Sequence, residues 1–281
     1  MPSIINTNLA SLNAQRNAST SQSSLAVSMQ RLSSGMRVNS SKDDAAGLAI
    51  ADRMTSQVRG MNVAIRNSND GISLAQTAEG ALGKVQDSLQ RMRELGVQAR
   101  NATNTTADLD SIGKEFGELG NEIKRVLGGT TFNGKAILGA DSGAQTFQVG
   151  ANTTTNDEVV VTTTDLTVDA TISAVTGSSI SNTDTAATLK TAIDNIDTAL
   201  NTVSTQRATL GASQNRFDAV ISNLMISVEN QSAARSRIMD ADYATETANL
   251  SRSQILQQAG TAMISQANQM PQQVLTLLRG G

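Results

Sequence analysis

The chain of 281 residues contains no cysteine, no histidine and no tryptophan. Without cysteine a disulfide framework is impossible. Without either residue, thiolate and imidazole metal sites are impossible too. The zincin HExxH helix and the Ser-His-Asp and Cys-His catalytic arrangements fall with them. Aromatic residues make up only 2% of the chain, as one tyrosine and four phenylalanines. That is too few rings for an ordinary compact core. The apolar positions are Ala, Leu, Ile, Val and Met, which suits helix-on-helix packing in long thin bundles. A net charge of −3 with no basic patch gives nucleic acid no footprint. No stretch approaches the ~18 consecutive apolar residues of a membrane span. The opening MPSIINTNLA has no basic segment leading into a long apolar run, so no Sec-type signal peptide is expected. A cytoplasmic protein and export by a route without a cleavable signal both fit.

What is present is helical periodicity at both ends. Residues 7–34 read as a polar helix, with Leu25, Met29 and Leu32 on one face. So polar a segment cannot order itself alone and needs partners. Ser33, Ser34 and Gly35 supply a stop, with Gly35 suited to the left-handed helix-end position. Ser41 and Asp44, with Asp43, read as a capping box opening the next helix. From there Met54, Val58, Met61, Ile65, Ser68, Ile72, Ala75, Ala78, Leu82, Val85, Leu89, Met92 and Leu95 step by threes and fours, a coiled-coil seam. A helix over about 44–100 would be roughly 85 Å long at ~1.5 Å per residue.

A second helix over 108–126 presents Leu109, Ile112, Phe116, Leu119, Ile123 and Val126, and Gly128-Gly129 ends it. Asn133-Gly134 signals a hairpin. Thr146–Val149 and Glu158–Thr163 read as short strands, and 151–191, rich in Thr, Ser, Asn and Asp, as exposed outer loops. Helical pattern returns near Ala187 with Ile193, Ile196, Leu200, Val203, Leu210, Phe217, Ile221, Leu224 and Val228. A polar stretch crosses 240–249, and a last helix carries Leu256, Met263, Ala267, Met270, Val274 and Leu277. Pro271 falls inside it, leaving open whether that helix bends or restarts. The expected class is mainly α: long antiparallel coiled-coil helices from both termini, with a small β-hairpin region in the middle.

Four strings then carry a resemblance: LSSGMRVNSSKDDAAGLAIADRM at 32–54, NDGISLAQTAEGAL at 69–82, FNGKAIL at 132–138 and SQANQMPQQVLTLLR at 265–279. In this order they resemble bacterial flagellin, over roughly residues 1–150 and 190–281. The resemblance implies segments 1–43 and 239–281 as two halves of an inner coiled-coil domain. It implies 44–150 and 191–238 as parts of an outer helical domain, with 151–190 a short variable surface linker. It implies a filament subunit for swimming motility, secreted through the flagellar type III route and placed in the extracellular flagellum. The implied partners are other copies of itself, an export chaperone, cap and hook-junction proteins, and the innate immune Toll-like receptor for flagellin. No cofactor, metal, nucleic acid or membrane insertion is implied.

On this reading the inner assembly seam holds Leu25, Met29, Leu32, Leu256, Met263, Met270, Val274, Leu277 and Leu278. Leu277→Asp or Leu278→Asp is expected to block polymerisation by burying a charge. Outer helical packing falls to Met54, Val58, Met61, Ile65, Ile72, Leu82, Leu89, Phe217 and Leu224. QRMRELGVQA at 90–99 resembles the stretch that the receptor recognises, with Arg91, Leu95 and Glu115 at the matching positions. Plain filament packing also accounts for these three. Lys42, Asp43 and Asp44 read as a helix-start charge cluster, since two adjacent carboxylates lack the convergent ligands of a cation site. The Met series reads as packing. The Thr-rich middle is either a bare surface loop or a site for O-linked glycans. The alternative function is a hook–filament junction protein. An intracellular coiled-coil scaffold and an enzyme hosted in the middle segment are weaker readings, and no catalytic residue is expected.

Overall fold

The computed structural model describes the backbone of residues 7–279 and the side chains of residues 7–270. The chain order is α1 (Leu9–Ser34), α2 (Ala45–Ala99), α3 (Thr106–Gly129), β1 (Thr131–Phe132), β2 (Lys135–Ala136), β3 (Gly143–Gln148), β4 (Glu158–Thr163), α4 (Ala170–Thr176), α5 (Ala186–Met239) and α6 (Tyr243–Arg279). Two compact units emerge. A terminal unit takes residues up to Ser56 and from Asn230 onward, and a central unit takes Gln57–Glu229.

In the terminal unit α1 begins where the Asn8 side chain accepts a hydrogen bond from the Ser11 amide at 3.1 Å. It ends as expected at Gly35, whose φ of 68° is costly for any residue with a Cβ. The helix lies antiparallel to α6. Asn8 Nδ2 donates to the Ala267 carbonyl at 2.7 Å, Ala18 sits beside Gly260, and Arg31 reaches Glu246 at 3.9 Å. Past the far end of this pair, the turn after α1 clasps the turn between α5 and α6. The amide of Arg37 donates to the Met239 carbonyl at 2.6 Å, and that of Ala241 to the Gly35 carbonyl at 2.9 Å.

Two helix starts differ from expectation. Asp44 is itself the cap of α2, accepting from the Gly47 amide at 2.7 Å. Asp43 instead closes the preceding turn, accepting from the amides of Asn39 and Ser40. Ser41 takes no part, because the helix begins three residues later than a Ser41 cap would require. The polar stretch at 240–249 is mostly helix. Asp242 caps the first turn, bonding the Ala244 amide and the Thr245 hydroxyl at 3.0 and 2.7 Å. The backbone of α6 runs through position 271 without restarting.

The central unit has the aliphatic core that the periodicity predicts. Leu82, Leu89, Phe116, Ile123, Ile196, Val203 and Phe217 are all fully buried, drawn from α2, α3 and α5. The Thr105/Asp108 capping box starts α3. β1 and β2 form the hairpin expected at Asn133-Gly134, where both residues take positive φ as a tight primed turn requires. β3 and β4 pair antiparallel, with Gly143 opposite Thr163 and Gln148 opposite Glu158. Alternate residues Val159, Val161 and Thr163 turn inward. The Phe147 ring meets Phe217 edge-on, with centroids 5.6 Å apart.

The segment 151–190 is more than an exposed loop. It contains α4, capped by Asp169, and it buries Leu166, Ile172, Val175 and Ile180. Sparse apolar residues among many threonines hid this helix from a periodicity reading.

Candidate assembly surface

The least exposed residues of α1 recur at alternating steps of three and four: Ser11, Ala14, Ala18, Ser21, Leu25, Ser28 and Leu32. Those of α6 do the same, as Glu246, Leu250, Ser253, Gln257, Gly260, Ile264 and Ala267. The spacing is that of a two-helix coiled coil. Its content is small and polar, so the pair buries little apolar surface for its length. Serine, alanine and glycine allow close approach. At Gly260 a Cβ would stand 3.3 Å from that of Ala18.

The expected seam residues therefore separate. Leu25 and Leu32 occupy half-buried heptad positions. Met29, Leu256, Met263 and Met270 do not line the contact within the chain; they are 57%, 50%, 60% and 57% exposed. Leu9, Leu12 and Ile255 are exposed with them. The side chains of Val274, Leu277 and Leu278 lie outside the described residues. The contact within the chain is a separate one, whose marker is a heptad of small residues that a search for apolar residues passes over.

Among the outer packing residues, Met61, Leu82, Leu89 and Phe217 are buried, and Met54, Val58, Ile65, Ile72 and Leu224 half-buried. Sequence reasoning missed the polar ties across this unit. Arg93 grips Asp197 through two bonds of 2.6 and 3.3 Å, and Gln214 donates to Glu79 at 2.8 Å. The exposed Arg93–Asp197 pair adds little stability.

Arg91 joins α2 to α3, donating to Glu115 at 2.8 Å and to Glu94 at 2.9 Å. Glu115 first, and then Glu94, hold its guanidinium above the ordinary value. Arg91 and Glu115 are about half exposed. Leu95 is not: at 1% exposure it belongs to the helical core and presents no surface to a partner. Its place follows from the seam spacing, which puts it on the inward face with Met92 and Ala99.

Among the described residues no cluster of three or more acidic side chains could hold a metal, and no helix is long and apolar enough to cross a membrane. Paired polar helices that leave apolar residues bare, joined to a well-packed helical unit, fit a self-associating structural protein. Comparisons with known proteins narrow this class. Residues 5–143 match the family model described as the bacterial flagellin N-terminal helical region. Residues 193–278 match that of the bacterial flagellin C-terminal helical region. The chain is 46% identical over 276 residues to flagellin from Halalkalibacterium halodurans, covering 98% of this chain and 100% of that one. It is 43% identical over 304 residues to flagellin from Bacillus subtilis, covering 98% and 99%. A solved structure of a putative flagellar hook-associated protein from Vibrio parahaemolyticus shares the fold, with a TM-score of 0.61 at 14% identity over 70% of this chain and 100% of that one. The chain belongs to the bacterial flagellin family and is a structural subunit of the flagellar filament.

Proposed function

We propose that this flagellin polymerises through the outward apolar line of α6 and the exposed apolar residues of α1, each copy covering what its neighbour leaves bare. One observation carries the reading: the internal seam of the pair is small and polar, while Leu9, Leu12, Met29, Leu256, Met263 and Met270 are exposed. A fully buried leucine or methionine contributes about 1.5–3 kcal/mol, so a stripe of several is a strong drive to associate. The free chain lacks that burial, and stable order of the terminal pair comes with assembly.

The filament lies outside the cell, reached by type III export. An export chaperone holds the terminal helix on the way, and cap and hook-junction proteins bound the growing tube. The free subunit meets the Toll-like receptor through the exposed Arg91–Glu115 pair, with Leu95 supporting it from the core.

Seeded polymerisation watched by electron microscopy tests the assembly reading. Met263→Asp is expected to abolish elongation and to leave the unfolding midpoint of the central unit unchanged, since Met263 is not part of that unit's core. Filaments of normal length from Met263→Asp would refute it.

A further inference from the structure

The chain has ten methionines, one tyrosine, and no cysteine, histidine or tryptophan. The thioether is therefore its principal target for mild oxidants. The methionines differ in access. Met92 is fully buried and Met61 is 6% exposed, both in the central unit. Met29, Met263 and Met270 are each more than half exposed on the terminal helices. Met263 and Met270 continue the line of Leu256 at seven-residue spacing along α6.

We infer that Met29, Met263 and Met270 are reversible oxidation sites, modified by peroxide-class oxidants on the free subunit, whose oxidation switches off polymerisation. The inference rests on the assembly reading above. The thioether sulfur gives a lone pair to one oxygen of hydrogen peroxide. The S–O bond forms as the O–O bond breaks, sulfur loses two electrons, and the second oxygen leaves as water. The product sulfoxide is polar and chiral where the stripe needs an apolar, adaptable side chain. Leucine at the neighbouring stripe positions has no equivalent reaction. Packed against a neighbouring copy the sulfur is shielded, so the assembled filament resists while the free subunit responds. Sulfoxide reduction restores the apolar side chain.

The test treats the full-length monomer with hydrogen peroxide, maps sulfoxides by peptide mass spectrometry, and measures seeded elongation against an untreated sample of the same protein. Met29, Met263 and Met270 are expected to oxidise well before Met61 and Met92. Elongation is expected to fall at least about tenfold and to recover with methionine sulfoxide reductases of both epimer specificities. A triple variant, Met29→Leu, Met263→Leu and Met270→Leu, is expected to elongate equally before and after treatment, whatever its absolute rate. Met225→Leu, which removes an exposed methionine of the central unit, is expected to keep the loss. Unchanged elongation by monomer carrying the three sulfoxides overturns the inference, as does undiminished loss in the triple variant. If the triple variant does not elongate at all, preformed wild-type filaments decide: protection of the three sulfurs supports the inference, and oxidation as fast as in monomer overturns it. Untreated wild-type chain that never elongates on seeds refutes the assembly reading itself and takes the inference with it.

Discussion

A hydrogen atom in place of a side chain at position 71 lets the Phe217 ring sit against the backbone of α2. A Cβ at Gly71 would stand 2.6 Å from that ring, which is fully buried and also held edge-on by Phe147. Gly71→Ala is expected to destabilise the central unit by about 1–3 kcal/mol, the usual cost of overpacking. Gly80 is its control. It lies in the same helix, where an added methyl would meet nothing within 4 Å, so Gly80→Ala is expected to stabilise by about 0.5–1 kcal/mol. Urea unfolding of both variants reads the contrast, and equal effects would refute the packing argument. At this scale the sequence distinguishes core from surface well where a partner is covalently present: Leu82, Leu89 and Phe217 are buried as their periodicity predicts. In the terminal helix Ser28 faces inward and Met29 outward. Hydrophobicity reports which surface wants covering; it does not say whether the cover is the same chain.

Carboxylates fix the turn before α2 and the starts of α3 and α6. Asp43 is held below the ordinary aspartate value of 3.8 chiefly by the Asn39 amide, and then by Ser40. Asp108 is lowered chiefly by the Thr105 hydroxyl, and Asp242 chiefly by that of Thr245. A group lowered on folding contributes stability that is present above its unfolded value and lost as pH falls through the folded one. Far-UV circular dichroism is therefore expected to hold steady above about pH 5 and to lose helicity from about pH 4 downward. Asp242→Asn is expected to shrink that loss, and an unaltered titration would exclude Asp242 as a contributor. Long elements were legible because their apolar residues repeat many times over. Helix α4 was not, since seven residues give barely two turns of evidence. The start of α2 was displaced because Ser41, Asp43 and Asp44 all have capping chemistry. Only the backbone decides which of them meets an unpaired amide.

At the scale of the whole molecule the terminal and central units differ in what sustains them. The central unit closes its own core. Among the described residues helix α1 packs chiefly along α6, mostly through small and polar residues. An isolated helix rich in Ser, Thr and Asn is marginal in water. Ending the chain after Asn249 is expected to cost more helicity than the deleted segment contains, because α1 melts with it. Circular dichroism against the full chain measures this, and a loss confined to the deleted residues would show that α1 is self-sufficient. The antiparallel arrangement also has a mechanical meaning. Asn8 and Ala267 stand side by side at one end of the pair. Tension applied between these two points pulls each rung apart in turn, as a zip opens, and never loads the whole seam in shear. With only serine, alanine and glycine at many rungs, every step yields to a small force, and a helix pair nearly the full length of α1 peels open with no single strong barrier.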